Sequence, residues 1–224
     1  MAGSTRVFIS ATSGDLGSVR QLVKEALLSM DCFPVEQTNF PPDYRSVREM
    51  LKDKIAGCQA VIHIVGKRYG AEPDPAKLPE DATRRSYTQM EYDLAQQLNK
   101  KVYVFLCPDG FPFDECEADS EEKQQLQLAH RDQLNAGERM RTKVVDGDQL
   151  AVKVRELQIE LDELRGRVHR STLAVVAGLA LLVVVLCGVV YGVSQLGNQV
   201  ETKPAGWLKR RNRMSKRRRK TWSG

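Results

Sequence analysis

Between Arg170 and Glu201 the chain carries no Asp, Glu, Lys or Arg. Within that gap TLAVVAGLALLVVVLCGVVYGVSQL runs from Thr172 to Leu196. An apolar run longer than about 18 residues is long enough, as a helix, to cross the hydrocarbon core of a bilayer. It predicts one transmembrane helix over 171–196 and divides the rest of the chain around it. Residues 1–146 read as a soluble α/β domain, 147–170 as an amphipathic, coiled-coil-like helix, and 197–224 as a basic disordered tail. If the run does not span, the alternative is a helix lying in the interface with both ends on one side. The run is too far from the N-terminus to be a signal peptide, and MAGSTRVFISATSG has no basic segment followed by an apolar stretch. The expectation is a single-pass membrane protein with its α/β domain in the cytoplasm.

Charge is spread as unevenly as hydrophobicity. Residues 201–224 hold ten Lys or Arg and one acid, Glu201, a net of +9; the whole chain is +5, so residues 1–200 carry 5 − 9 = −4. A slightly acidic domain argues against specific nucleic-acid binding. The tail suits anionic lipid head groups, or it is a solvated segment that helps fix topology. The positive-inside rule would place that tail in the cytoplasm, against the expectation for the domain. The flanks do not decide. Lys153, Arg155, Arg165, Arg167 and Arg170 precede the span, and Lys203, Lys209, Arg210, Arg211 and Arg213 follow it. Moving a folded domain across is the harder event, so the domain is assigned to the cytoplasm. The five cysteines are scattered with no metal-ligand spacing, which fits reduced thiols and predicts no metal site.

Strand and helix signals alternate before the span. RVFIS (6–10), FPVEQ (33–37), AVIHIVG (60–66), KVYVFLC (101–107) and a short segment at 143–145 read as strands. Helices are expected at 19–30, at Val47–Leu51–Ile55 ending at Gly57, at 86–100 and at about 120–136. Such alternation implies parallel βαβ units. The expected fold class is α/β, a five-stranded doubly wound, flavodoxin-like parallel sheet of order 2-1-3-4-5, followed by the heptad helix and one transmembrane helix.

In that heptad helix Leu150, Val154, Leu157, Leu161, Leu164 and Val168 are spaced 4, 3, 4, 3 and 4 apart. This is an a/d seam. One reading is a homo-oligomer through residues 150–168; the other is a helix packed on its own domain. Gly188 and Gly192 form a GxxxG pair that lets two spans approach closely.

With strand order 2-1-3-4-5 a ligand is expected where the order reverses, between strands 1 and 3. The loop after strand 1 offers Ser10, Thr12, Ser13, Gly14 and Asp15; the loop after strand 3 offers Lys67, Arg68, Tyr69 and Gly70. Hydroxyls, cations and a helix start suit phosphate or ribose oxygens. Simple turn geometry accounts equally well for Gly14 and Gly70. Glu91 lies in the first turns of the third helix, near the same crevice. A carboxylate there can hold ribose hydroxyls or stabilise positive charge on a sugar. It is also favoured by the helix dipole alone, behind a capping box of Ser86 and Gln89. His63 reads as a core residue, and the three histidines form no recognisable site.

VFISATSGDLGSVR, VREMLKDKIAGCQAVIHIVGKRYG and SYTQMEYDLAQQLNKKVYVFLC, in that order, resemble Toll/interleukin-1 receptor (TIR)-like domains. They are most like an uncharacterised bacterial TIR-like domain found at the N-terminus of NTPase and repeat proteins of antiphage defence or signalling. The similarity covers roughly 6–145. Enzymatic TIR domains cleave the nicotinamide–ribose bond of NAD when oligomerised, using a glutamate in the helix after the third strand, and Glu91 matches it. The resemblance thus implies a membrane-anchored TIR-like effector that binds NAD as substrate, without a resident cofactor. Glu91 would be catalytic; Ser10, Thr12, Ser13, Asp15, Arg68, Tyr69 and Ser86 would bind the nucleotide. The alternative is a non-enzymatic module that recruits other TIR-like domains. Two features depart from the pattern. Gln89-Met90 stands where receptor-type domains carry Trp-Cys, and a span stands where those relatives carry NTPase and repeat modules.

Overall fold

The computed structural model describes residues 4–37, 46–74, 83–137 and 141–201, with the side chains of 167–173 and 192–201 left out. The NFPPDYR loop from residue 39 onward and the basic tail from residue 202 lie outside the described residues. The chain divides into two units, Met1–His169 and Arg170–Gly224.

In the first unit the elements alternate. They are β1 (Arg6–Ser10), α1 (Ser13–Ser29), β2 (Phe33–Val35), α2 (Val47–Ala56), β3 (Ala60–Val65) and α3 (Tyr87–Gln97). Then come β4 (Lys101–Leu106), α4 (Glu121–Ala136), β5 (Arg141–Lys143), α5 (Gly147–Arg155) and α6 (Gln158–Glu201), the last running on past His169, where the first unit ends. All strand pairs are parallel, and the sheet order is β2-β1-β3-β4-β5. The central strand β3 is buried along its whole length, as its unbroken apolar run requires.

Alternation along β1 sends side chains to two separate cores. Val7 and Ile9 join Ile62 and Ile64 under α1 and α5. Phe8 and Val61 lie on the other face, with Leu51 and Ile55 of α2 and Leu94 of α3. Polar N-caps start the helices where the sequence supplies them. Ser46 and Glu49 form a capping box on α2, and Asp146 accepts from Gln149 N at 2.7 Å on α5.

Four expectations are corrected. α1 begins at Ser13 rather than at residue 19, with a non-helical Leu16 (φ −129°, ψ 21°) inside it. Its glycines and serines read as turn, yet the sheet end holds them helical. Val47 is exposed, and the buried face of α2 is Met50, Leu51 and Ile55. β5 sits at Arg141–Lys143, two residues earlier than expected.

The heptad seam is the fourth. The helix breaks at residues 156–157, between α5 and α6. Leu150, Val154 and Leu161 are fully buried in the domain's own core, with Leu157 and Leu164 packed against it. Thr5 Oγ1 donates to Leu161 O at 3.2 Å, and Arg165 donates to Met30 O and Asp31 O. Burying one Leu or Val is worth about 1.5–3 kcal/mol. A coiled coil would have to strip at least three of them from the sheet. The seam therefore docks the helix on its own domain. The exposed apolar side chains of this stretch are Val152 and Ile159. Val168 and Gly192 are outside the side chains described.

In the second unit, Ala174–Tyr191 of α6 is long and apolar enough to cross a membrane, with mean hydropathy 2.8 and none of it buried. Gly188 has open space where a side chain would be. All five cysteines are free.

Candidate functional site

Parallel pairing sets Ser10 opposite His63 and so brings the loops after β1 and β3 together. One buried carboxylate ties these loops. Asp15 Oδ2 accepts from Lys67 N at 2.8 Å and Arg68 N at 3.0 Å, and Asp15 Oδ1 accepts a short hydrogen bond from Thr12 Oγ1. A side chain at Gly66 would collide with Asp15 Oδ2, so the backbone passes there only as glycine. Gly70 has φ +90°, and a Cβ there would lie 2.9 Å from Thr12 Cγ2.

Arg68 leaves this brace and pairs with Asp119 from the β4–α4 connection, Nη2 to Oδ1 at 2.9 Å. Asp119 Oδ2 also accepts from Tyr69 N at 2.7 Å. The third side of the site is α3. Ser86 caps it by accepting from Gln89 N at 3.3 Å, and Tyr87 N donates to Ala71 O at 2.9 Å. Thr88 and Glu91, three residues apart, then share one helix face.

These elements enclose a cleft of about 450 Å³. Thr12, Ser13 and Gly14 line it from α1 and its entry, Arg68 and Gly70 from the β3 loop, and Thr88 and Glu91 from α3. Arg20, Asp119 and Lys123 complete the charged lining. Thr12 makes no side-chain cap on α1, so the first-turn N–H groups of that helix are not taken by their N-cap hydroxyl. Arg20 is itself buried. It donates to Ser13 Oγ at 2.6 Å and pairs with Glu36 at 3.1 Å, while its Nε has no hydrogen-bond partner.

Glu91 is 3% exposed. Burial pushes its carboxyl up to about 7, against the opposing pull of the Ser10 hydroxyl and the Arg20 charge. Near neutral pH such a group can be a carboxylate facing developing positive charge, or an acid, within a small pH interval. Among the described residues no group of three or more His, Cys, Asp or Glu is placed to hold a metal ion.

The family model described as a domain of unknown function, DUF4062, matches residues 6–158. The chain belongs to this family. Among solved structures, the DUF4062 chain is similar to the Clostridium botulinum CMP N-glycosidase BcmB, at 14% identity and a TM-score of 0.37, covering 67% of this chain and 97% of that one. It is also similar to the TIR domains of the activated Roq1 resistosome that recognises the effector XopQ. There the identity is 11% and the TM-score 0.36, covering 75% of this chain and 99% of that one. Neither likeness bears on activity here. No curated protein matches the chain.

Within this DUF4062 domain the expected site residues separate. Thr12, Ser13, Arg68 and Glu91 line the cleft. Ser10 is fully buried behind it, its Oγ 3.0 Å from His63 Nδ1 and donating to Thr88 O at 3.4 Å. Asp15 is fully buried as the brace between two loops, so it orders the site from beneath. Tyr69 is fully buried and borders a separate, smaller space with Gln127 and His130, and burial pushes its hydroxyl up to about 12. Ser86 is buried and committed to the α3 cap.

Arg20, Thr88, Asp119 and Lys123 escaped the sequence reading. Thr88 is recoverable from its three-residue spacing to Glu91, and Arg20 from its seven-residue spacing to Ser13 along α1. Nothing local points to Asp119 or Lys123, which arrive from the β4–α4 segment by tertiary folding.

Proposed function

We propose that this chain is a membrane-anchored TIR-like signalling or defence effector that cleaves the N-glycosidic bond of NAD when several copies are clustered. The observation that carries the reading is the Glu91 carboxyl in a polar cleft between the loops that follow β1 and β3 of the parallel sheet. Ordinary surface glutamates ionise near 4.3 and are solvated. Glu91 is held nearly dry and titrates close to neutrality. When the nicotinamide–ribose bond breaks, positive charge develops on the sugar. A carboxylate in a water-poor site stabilises that charge far more than it does in water.

The rest of the lining has matching roles. The α1 N-terminus at Ser13–Gly14 and the cations Arg68 and Lys123 suit the pyrophosphate. Thr12 and Thr88 offer hydroxyls to the ribose. Asp119 orients Arg68 through their 2.9 Å pair. NAD is a substrate in this scheme, and leaving nicotinamide takes the bonding electron pair while water supplies the new sugar hydroxyl.

Anchoring would come from Ala174–Tyr191, the helix of mean hydropathy 2.8. Clustering would come from the spans, through Gly188 and Gly192, and from TIR-like contacts, because the 150–164 seam is occupied by its own domain. The basic tail would rest on anionic lipid, and the α/β domain would face the cytoplasm.

The test uses the full chain reconstituted in vesicles, incubated with NAD, beside Glu91→Gln. Nicotinamide release by the wild type and none by the folded variant is the expected result. Clustered, folded and inert wild-type protein would refute hydrolysis. It would leave the non-enzymatic module that recruits partner TIR-like domains.

A further inference from the structure

Arg68 stands between two clefts. Its pair with Asp119, Nη2 to Oδ1 at 2.9 Å, lines the cleft that holds Glu91 and also lines a second cleft of about 330 Å³. Helix α4 borders both, giving Lys123 to the first and Gln124, Leu128 and Arg131 to the second. Sites for small molecules span about 300–1,000 Å³. Each cleft falls in the lower half of that range, the scale of a site for part of a dinucleotide.

The second cleft offers what a nucleoside needs. Leu128 is an apolar side chain left 58% exposed on its α4 face. Arg131, three residues on, has its guanidinium held in place. Nη1 donates to Gly66 O at 3.1 Å, and Nη2 lies 3.8 Å from Asp109 Oδ1. A fixed, planar and weakly hydrated guanidinium is a good stacking partner for a base, and an exposed leucine adds apolar area beside it. Lys67 adds a cation that lines this cleft and not the first, so positive charge continues from one cleft to the next through Arg68. Three acids also line the second cleft. Asp119 is committed to Arg68 and to Tyr69 N, the Asp109 side chain is fully exposed, and Glu117 is exposed.

A dinucleotide joins its two nucleosides through the pyrophosphate, so the group that grips the pyrophosphate lies between the two halves. Once the nicotinamide ribose is committed to Glu91 and the pyrophosphate to Arg68, the far side of Arg68 is the second cleft.

We propose that the second cleft is the subsite for the adenosine half of NAD, with Leu128 and Arg131 as its specificity-determining residues. The inference rests on the reading that Glu91 holds the reacting ribose. It makes the chain selective for a dinucleotide over the nicotinamide mononucleotide, which ends at Arg68.

The experiment is a calorimetric titration of the full chain in detergent micelles with NAD, nicotinamide mononucleotide and AMP, in the Glu91→Gln background so that the ligands stay intact. Leu128 is exposed, so Leu128→Asp leaves the core untouched. NAD is expected to bind more tightly than the mononucleotide. Leu128→Asp is expected to weaken NAD and AMP about tenfold, the low end of what one lost methylene costs in an apolar site, and to leave the mononucleotide unchanged. Equal effects on NAD and the mononucleotide, or no effect on either, overturn the proposal.

Photolabelling with 2-azido-NAD gives the location directly. Trypsin cuts after Lys123 and Arg131, so the α4 segment 124–131 is released as one peptide. Label on that peptide is expected. Label confined to the main-cleft peptides, 7–20 and 86–100, overturns the proposal. Leu128-dependent NAD binding without nicotinamide release refutes cleavage and keeps the subsite, and release with Leu128-independent binding does the reverse. A folded chain that binds none of the three ligands overturns both.

Discussion

Replacing Asp15 by Ala separates a brace from a ligand. Asp15 is fully buried and accepts from Lys67 N, Arg68 N and Thr12 Oγ1. Truncation leaves two backbone N–H groups and one hydroxyl without their acceptor. Each buried group left unpaired costs about 1–3 kcal/mol. Lys67 is exposed and Arg68 half-buried, so water offsets part of this and the two N–H groups together amount to at most about 2–6 kcal/mol, against the roughly 5–15 kcal/mol that holds a typical domain. Asp15→Asn is milder. Its Oδ1 can accept both backbone N–H groups while Nδ2 donates to Thr12 Oγ1, so only the charge-assisted share is lost, about 1–2 kcal/mol. The assay is urea unfolding of the full chain in micelles, followed by circular dichroism. For a domain of this size the melting temperature falls about 2–4 °C per kcal/mol, which gives a second reading. The expected order is wild type, then Asn, then Ala. An alanine variant within about 0.5 kcal/mol of wild type would refute the brace and return Asp15 to the ligand-binding set.

Other expectations follow from the same geometry. Gly70→Ala places a Cβ at φ +90° and 2.9 Å from Thr12 Cγ2, and is expected to cost about 1–3 kcal/mol in the same unfolding assay. Because the folded Glu91 carboxyl is raised from 4.5 to about 7, the folded state binds more protons than the unfolded one between these values. Stability should therefore fall as pH rises through that interval, by about 3 kcal/mol at most, and Glu91→Gln should flatten the fall in a pH series of unfolding curves. Leu161→Ala is expected to destabilise the domain by about 2–5 kcal/mol, whereas Ile159→Ala, at 75% exposure, should change unfolding by under about 0.5 kcal/mol. Equal effects of these two would contradict a seam packed on its own sheet.

Much of the fold is legible in the residues because each strand announces itself locally. AVIHIV is a short, continuous apolar run, which is what a central parallel strand must be. RVFIS and KVYVFL stop at polar or turn residues, and β1 ends where expected. The start of α1 was not legible, because Ser13, Gly14 and Gly17 favour turns when read alone. The 4-3-4-3-4 seam could not be resolved by spacing. A helix on a sheet and a helix in a coiled coil both need an apolar stripe, and burial of Leu150, Val154 and Leu161 decides between them.

The site was half legible for a similar reason. Glu91, Thr12, Ser13 and Arg68 follow from strand order, since chain direction alone carries them to one end of the sheet. Asp15, Tyr69 and Ser86 have the right chemistry, but their polar groups or rings are spent on a brace, a buried packing position and a helix cap. Arg68 with Asp119, and His63 with His130, are partners across 51 and 67 residues. No periodicity within one element reports such pairs.

The most direct test of the account is nicotinamide release from NAD, measured per chain while the density of the full chain on vesicles is raised. The account predicts release that grows with crowding in the wild type and is absent from Glu91→Gln at every density. Release that is equal in the two proteins, or absent from folded wild-type protein at the highest density, would contradict it.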